Sequence, residues 1–382
     1  MQKKKHIYAD NAATTKLDPL ALEAMLPFLQ EHYGNTSSVY SFSNKTKKAL
    51  DNAREEIAEC IGATANEIYF TSGGTESNNW AIKGLAKYNS QKGKHIISSP
   101  IEHHAVLNSC ISLEQQGMSI TYLPVDSEGF IKTEDLQKAI RPDTICISIM
   151  LANNEIGTIQ NIPALAKISQ KHSIVFHSDA VQAVGHLPID VNKLKVDLLS
   201  ASAHKFNGPK GIGFLYKKQN ISLSKFMDGG QQENNLRAGT QNVAAIVGMA
   251  TALKNNIRDL NLTTMYLNKL TENFCSFMQE QIPSVSFNGS SLKRLPGHIS
   301  VSIPNISAES FLHILDLKGI SVSTGAACNS QKTKISHVLL EIGLSEDIAQ
   351  GTLRISLSKN NTLDEVLTIA KTLYKLYNKK VI

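Results

Sequence analysis

Disulfides, metal-binding ladders and long apolar runs are all missing from this chain. Five cysteines are scattered through 382 residues, with no Cys-x-x-Cys pair and no Cys/His ladder. That excludes a disulfide framework and a tetrahedral zinc ribbon, so no metal site is expected. An odd set of separate thiols points to a reducing, cytoplasmic setting. No 18-residue apolar run exists, so no membrane-spanning helix is expected. Lys3–Lys5 are followed by His6, Tyr8, Asp10 and Asn11 rather than an apolar stretch, so no secretory leader is expected either. Aromatic residues make only 6% of the chain, too few to suggest base-stacking platforms. The net charge is +6, but its basic residues are dispersed, with small clusters at the two ends. No aromatic-interleaved basic motif appears, and no direct nucleic-acid partner is expected.

What the chain does contain is ordinary globular material: 42% hydrophobic and 19% charged residues. Its length suits two to three domain units. Short β-rich runs alternate with helical patterns. Strands are expected at 67–71, 95–99, 120–123, 144–150, 173–177, 196–200 and 213–216. Helices are expected at 76–89, 104–116, 133–140 and 162–171. Strands separated by helices of this length imply crossovers and a mostly parallel sheet covered on both faces. From about residue 240 the texture changes to a long helical stretch over 244–260. Strands at 299–303 and 353–357 follow, with helices near 310–317, 336–342 and from 363. This reads as a separate α+β unit. The expected division is 15–258 for the large domain, with 1–14 and 259–382 forming the small one.

Four constellations carry chemistry. Thr71-Ser-Gly-Gly-Thr75 joins a strand end to a helix start, where glycines and free N–H groups can bind an anion. It matches neither a dinucleotide nor a P-loop fingerprint, and a plain helix cap is the bland alternative. Asp179, in His177-Ser-Asp-Ala-Val-Gln182, sits at a strand's carboxyl end, where open α/β sheets collect ligands. It reads either as a partner for a protonated heterocyclic nitrogen or as a helix cap. Lys205, in Ser202-Ala-His-Lys205, lies between small residues and a Gly-rich turn and is a candidate Schiff-base lysine. These three parts, taken together, are what a pyridoxal phosphate enzyme needs. Finally, Cys328 in Ser323-Thr-Gly-Ala-Ala-Cys328-Asn-Ser330 sits among small residues that read as a flexible, exposed loop. Cys60, Cys110, Cys146 and Cys275 fall in helical or strand patterns and read as core thiols. Cys328 is therefore the candidate nucleophile. His103 and His104 read as an aromatic plate rather than metal ligands, and Arg354 needs a carboxylate partner.

Several blocks, taken in order, resemble the cysteine desulfurases of the NifS/IscS type. They are Tyr8-Ala-Asp-Asn-Ala-Ala-Thr-Thr15, Thr71–Asn79, Glu102-His-His-Ala105, Asn153-Asn-Glu-Ile-Gly157, His177–Gln182, Ser202–Lys205 and Arg237-Ala-Gly-Thr240. The resemblance spans about 6–360. It implies the aspartate aminotransferase fold (fold type I), with a mostly parallel seven-stranded sheet and a smaller α+β domain carrying the catalytic cysteine loop. It also implies a homodimer and pyridoxal 5'-phosphate. Carried over, Lys205 resembles the lysine bonded to the cofactor, Asp179 the ring-nitrogen partner and Gln182 the donor to the ring hydroxyl. His103 would stack on the ring and act as acid or base. Gly74, Thr75, Ser202 and His204 resemble the phosphate cup, and Thr240 a phosphate ligand from the other subunit. Asn154 and Arg354 resemble groups near the substrate, Arg354 clamping its carboxylate, with Asn35 assisting. Cys328 resembles the persulfide cysteine. One departure stands out: Ala327 and Asn329 flank the thiol where the family has Ser, then Ser or Thr, and Lys332 and Lys334 nearby favour a thiolate.

The implied reaction converts L-cysteine to L-alanine, with sulfur held as a persulfide on Cys328. The sulfur would pass to an acceptor protein, either an iron–sulfur scaffold or a tRNA-thiolation enzyme. Rival readings are a selenocysteine lyase, another pyridoxal phosphate C–S lyase, a nucleic-acid binder, and an inactive scaffold.

Overall fold

The computed structural model describes residues 6–324 and 335–379. Its strands, in chain order, are β1 (Ile7–Tyr8), β2 (Ile68–Thr71), β3 (His95–Ser98), β4 (Ser119–Tyr122), β5 (Thr144–Ser148), β6 (Val175–Asp179), β7 (Leu198–Ser202), β8 (Gly213–Lys217), β9 (Ser286–Phe287), β10 (His298–Ser302), β11 (Ile320–Ser321) and β12 (Thr352–Ser356). Seven of them form the large sheet in the order β2-β8-β7-β6-β5-β3-β4. Only β8 runs against its neighbours, so β2 points the same way as the parallel strands. The mostly parallel seven-stranded sheet expected from the sequence is therefore present.

The strands read as continuous apolar runs because helices cover both faces. On one face Phe70, Ile147, Phe176, Leu199 and Phe214 meet the helices Asn44–Ile61 and Val243–Arg258. On the other, Ile96, Cys146, Leu198 and Leu215 pack with Trp80, Leu85 and Val106. Trp80 is fully buried, and its ring N–H donates to the Ser224 carbonyl at 3.1 Å.

A separate core gathers Ile299, Val301, Leu353 and Ile355 of an antiparallel sheet β12-β10-β9. Ile7 and Ala9 join it, because β1 pairs with β11. We propose the division between the units at Arg258/Asp259, as the texture change suggests. Leu295 crosses that division and packs in the first core. The helical stretch expected at 244–260 is the helix Val243–Arg258, and a second helix, Leu260–Gln281, starts after Asp259. The second helix was not expected from the sequence pattern, nor were Pro19–Gln30 and Asn44–Ile61. A fourth cluster ties Val338, Leu339 and Ile342 of the small unit to Ile101, Met150 and Ile156 of the large one.

Two histidines are sealed into this framework. His177 lies inside β6 between the hydroxyls of Ser148 (2.8 Å) and Ser200 (3.0 Å). His298, in β10, reaches the Glu155 carbonyl at 3.1 Å. Burial pushes both down to about 3, against about 6.5 in an unfolded chain. Between those values the unfolded chain binds more protons, so stability is full above about pH 6.5 and falls as pH drops. These two groups together lose about 2–3 kcal/mol per pH unit between pH 6 and 4, offset in part by buried Glu102, whose carboxyl burial raises well above the usual range, so a net fall in stability is expected. Urea unfolding across that range checks it, and a flat profile contradicts it.

Candidate active site

Parallel strands deliver their carboxyl ends to one edge of the sheet, and the site lies there. Thr71 ends β2, Asp179 ends β6, Ser202 ends β7, and the segment after β5 runs through Met150 to Asn154. A cavity of about 370 Å³ opens at this edge, lined among others by Gly74, Thr75, His103, Asn154, Asp179 and Gln182. Ser202, His204, Lys205 and Arg354 complete its wall. The structure thus brings together ten of the residues that the sequence singles out.

Each wall residue has a local cause. The helix Gly74–Tyr88 starts at the phosphate-type loop, where its first N–H groups lack intrahelical partners. Gly73 sits at φ +150, and a Cβ on Gly74 would come within 2.5 Å of a Val181 methyl, so a side chain there would have to displace Val181. Asn153 builds the turn that presents Asn154: its Oδ1 accepts the Glu155 and Ile156 N–H groups at 2.8 and 3.0 Å. Asp179 is 4% exposed and accepts the Val181 N–H at 2.9 Å and the Asn78 amide at 2.6 Å. The Asn78 contact was not anticipated from the sequence.

A second unanticipated feature is the Asp10–Thr15 segment. The Lys205 Nζ donates to the carbonyls of Ala12 and Ala13 at 2.5 and 2.8 Å. The Gln182 amide donates to the same Ala12 carbonyl at 2.9 Å. Thr14 Oγ1 meets His204 Nδ1 at 3.2 Å, and the Thr15 hydroxyl donates to the His204 carbonyl at 2.8 Å. From the small unit, Arg354 Nη2 donates to Asp10 at 2.8 Å, and Asn11 Nδ2 donates to the Ser356 carbonyl at 2.8 Å. Asp10 is the carboxylate partner that Arg354 needs. Arg354, 5% exposed, also gives Nη1 to the Asn154 carbonyl at 3.1 Å. Its buried Nε has no partner among the described residues.

His103 caps the helix His104–Glu114, accepting the Ala105 N–H on Nδ1 at 3.1 Å. A backbone N–H only donates, so Nδ1 carries no proton. Burial lowers its pKa; Asp179 opposes this, Lys205 adds to it, and the pKa is held below the usual value. The neutral ring therefore carries its proton on Nε2 and offers an N–H donor. His104 does not line the cavity; its ring stands edge-on to His337 at 5.0 Å. His204, deprived of water and close to Lys205 and Lys210, is held down to about 4. Among the described residues, no group of three or more His, Cys, Asp and Glu is placed to hold a metal ion.

Asn35 and Thr240 do not line the cavity; both are exposed. They lie beside one bonded pair, because Thr36 Oγ1 donates to Gln241 Oε1 at 2.8 Å. Arg237 fastens this region to the phosphate-type loop through Glu76, at 2.8 and 3.2 Å. Burial opposes ionisation of Glu76, but donation from Arg237 and Ser72 prevails and holds it below the usual carboxylate range. Glu233 forks with Arg54 at 2.8 Å on both oxygens and also accepts the Phe70 N–H.

Cys328 lies outside the described residues. The four other cysteines are unpaired, and burial raises their thiols: Cys60 and Cys275 to about 11, Cys110 to about 12, and Cys146 further upward. None is poised as a thiolate.

Comparison with known proteins decides the family. The class-V aminotransferase profile matches residues 7–369. "Cysteine desulfurase IscS" of Dictyoglomus turgidum is 50% identical over 363 residues, 95% of this chain and 92% of that protein. A solved "NifS-like protein" superposes with a TM-score of 0.93 at 38% identity, covering 98% of this chain and all of the other. The structure described as "SspA in complex with cysteine" gives a TM-score of 0.81 at 36% identity, covering 93% of this chain and all of the other.

The chain belongs to the cysteine desulfurases of the class-V aminotransferase family.

That family implies dependence on pyridoxal phosphate, and the residues present fit such a group. The Gly74 cradle would be filled by a Cβ, a fixed carboxylate stands at Asp179, and Lys205 reaches the same cavity. Nitrogen-15 NMR of His103 checks its state: a neutral ring protonated at Nε2 is expected at neutral pH. A signal from protonated Nδ1 contradicts it.

Proposed function

We propose that this cysteine desulfurase holds pyridoxal 5'-phosphate in the 370 Å³ cavity and passes the sulfur of L-cysteine to Cys328, releasing L-alanine. The observation that carries the proposal is the meeting of Lys205, Asp179, His103 and Arg354 in that single cavity. Gly74, Thr75, Ser202 and His204 would receive the phosphate, Asp179 the ring nitrogen, and Gln182 the ring hydroxyl. When bound, the cofactor supplies a sink for the electron pair left at the substrate Cα.

The chain's own groups do the rest. Arg354 keeps N–H groups beyond those given to Asp10 and Asn154 and would take the substrate carboxylate. Lys205 Nζ would remove the Cα proton, and the Ala12 and Ala13 carbonyls hold that nitrogen at the cavity wall. His103 would stack on the cofactor ring and act as acid or base, offering its Nε2–H to the bound molecule while neutral. The Cys328 thiolate would attack the substrate sulfur. An S–S bond forms, the substrate Cβ–S bond breaks, and its electron pair stays on Cβ, which takes up a proton to become the alanine methyl.

The residues bounding 325–334 support this role. Ser323 and Arg354 bond through their backbones at 2.6 and 3.0 Å. On the far side, Ser336 donates to Glu155, and His337 Nε2 meets the Glu102 carbonyl at 3.3 Å. The chain thus leaves and re-enters beside the cavity wall. The persulfide would pass to an acceptor protein in the cytoplasm, either an iron–sulfur scaffold or a tRNA-thiolation enzyme. The shared exposed face of Asn35 and Thr240 supports a homodimer in which Thr240 reaches the other copy's phosphate.

Cys328→Ala is expected to keep the cofactor's visible absorption and lose alanine release from L-cysteine by at least about 100-fold. Full turnover by that variant removes the persulfide role, and pyruvate in place of alanine from the unaltered chain marks an eliminating C–S lyase. Thr240→Ala is expected to weaken cofactor retention about tenfold by dialysis, from loss of one phosphate contact. Unchanged retention removes Thr240 from the phosphate site.

A further inference from the structure

Asn78 stands one turn into the helix Gly74–Tyr88, on the face that its first residue Gly74 also occupies. It is 1% exposed and lines the cavity. A buried amide needs partners, and this one spends its Nδ2 on Asp179 Oδ2 at 2.6 Å. The reverse amide orientation would set two acceptor oxygens against each other at that distance, so Asp179 fixes which end is nitrogen. The amide's Oδ1 is buried with no partner among the described residues. Asp179 meanwhile takes the Val181 N–H on its other oxygen at 2.9 Å.

We propose that Asn78 is the positioning residue for Asp179, fixing the plane in which that carboxylate meets the cofactor's ring nitrogen. The proposal rests on the reading of Asp179 as the ring-nitrogen partner. A carboxylate held at one oxygen can swing about its terminal torsion, which is broad. A donor at each oxygen fixes it. The second donor comes from the helix whose first turn lines the phosphate end of the cavity. Gly74 and Asn78 are separated by about 6 Å of rise along a rigid element. One helix therefore aligns the anchor for the phosphate with the anchor for the ring.

The test uses the holoenzyme loaded with pyridoxal phosphate labelled with nitrogen-15 in its ring, whose shift reports ring protonation against pH. Asn78→Leu keeps the volume, and Asn78→Ala removes the amide without adding bulk. In both, the midpoint for loss of the ring proton is expected to fall by about one pH unit, a tenfold loss of proton affinity. Asp179→Asn separates the two levels of the argument. If its ring is unprotonated while both Asn78 variants titrate as the unaltered chain, the positioning role is overturned and the reading of Asp179 stands. If the Asp179→Asn ring stays protonated as in the unaltered chain, the reading of Asp179 fails and the proposal falls with it.

Discussion

The site depends on the backbone of Asp10–Thr15, which is the seam between the two units of the fold. Its carbonyls at Ala12 and Ala13 hold Lys205 and Gln182 of the large unit. Its Asp10 carboxylate and Asn11 amide hold Arg354 and Ser356 of the small one. Buried or half-buried polar groups need partners, so neither unit satisfies these groups alone. The ammonium of Lys205 and the guanidinium of Arg354 therefore face one cavity from opposite units. Backbone oxygens hold the first, and a carboxylate with a carbonyl holds the second.

Around that seam the sheet supplies direction. Because β2 shares the direction of the parallel strands, its trailing loop joins the ends of β6 and β7 at the same edge. The strands' hydrogen-bond ladders thus place Gly74, Asp179 and Ser202 without any contact among their side chains being required. Final placement comes from local bonds: the Asn153 turn for Asn154, the Ala105 N–H for His103, and Asn78 for Asp179. The His103 bond has a chemical consequence, since it turns the Nε2 edge of the neutral ring, with its N–H, toward the cavity side.

Much of this was legible in the sequence. The alternation of apolar runs with helical patterns predicts the parallel sheet. Asp179, Lys205 and the Gly-Gly turn stand out because their surroundings are small or apolar. The Leu260–Gln281 helix was harder: Leu267, Leu270, Phe274 and Met278 carry the helical period. Its many Asn and Thr residues lower intrinsic propensity, so packing against the helix Leu363–Asn378 decides the outcome. The role of Ala12 and Ala13 was not legible, because it is exercised by carbonyls that every residue carries. Nor was the Asn78–Asp179 bond, which joins residues 101 positions apart. Asn35 and Thr240 were recognised through resemblance alone, and in the single chain they share a face away from the cavity.

The central claim is that one cavity at the carboxyl edge of the large sheet holds cofactor and substrate together. A crystal structure of the chain loaded with pyridoxal phosphate, soaked briefly with L-cysteine, tests it most directly. The account predicts the ring nitrogen within hydrogen-bond distance of Asp179, the phosphate on Gly74, Thr75, Ser202 and His204, and the substrate carboxylate on Arg354. A cofactor bound elsewhere, or a substrate carboxylate away from Arg354, would contradict it.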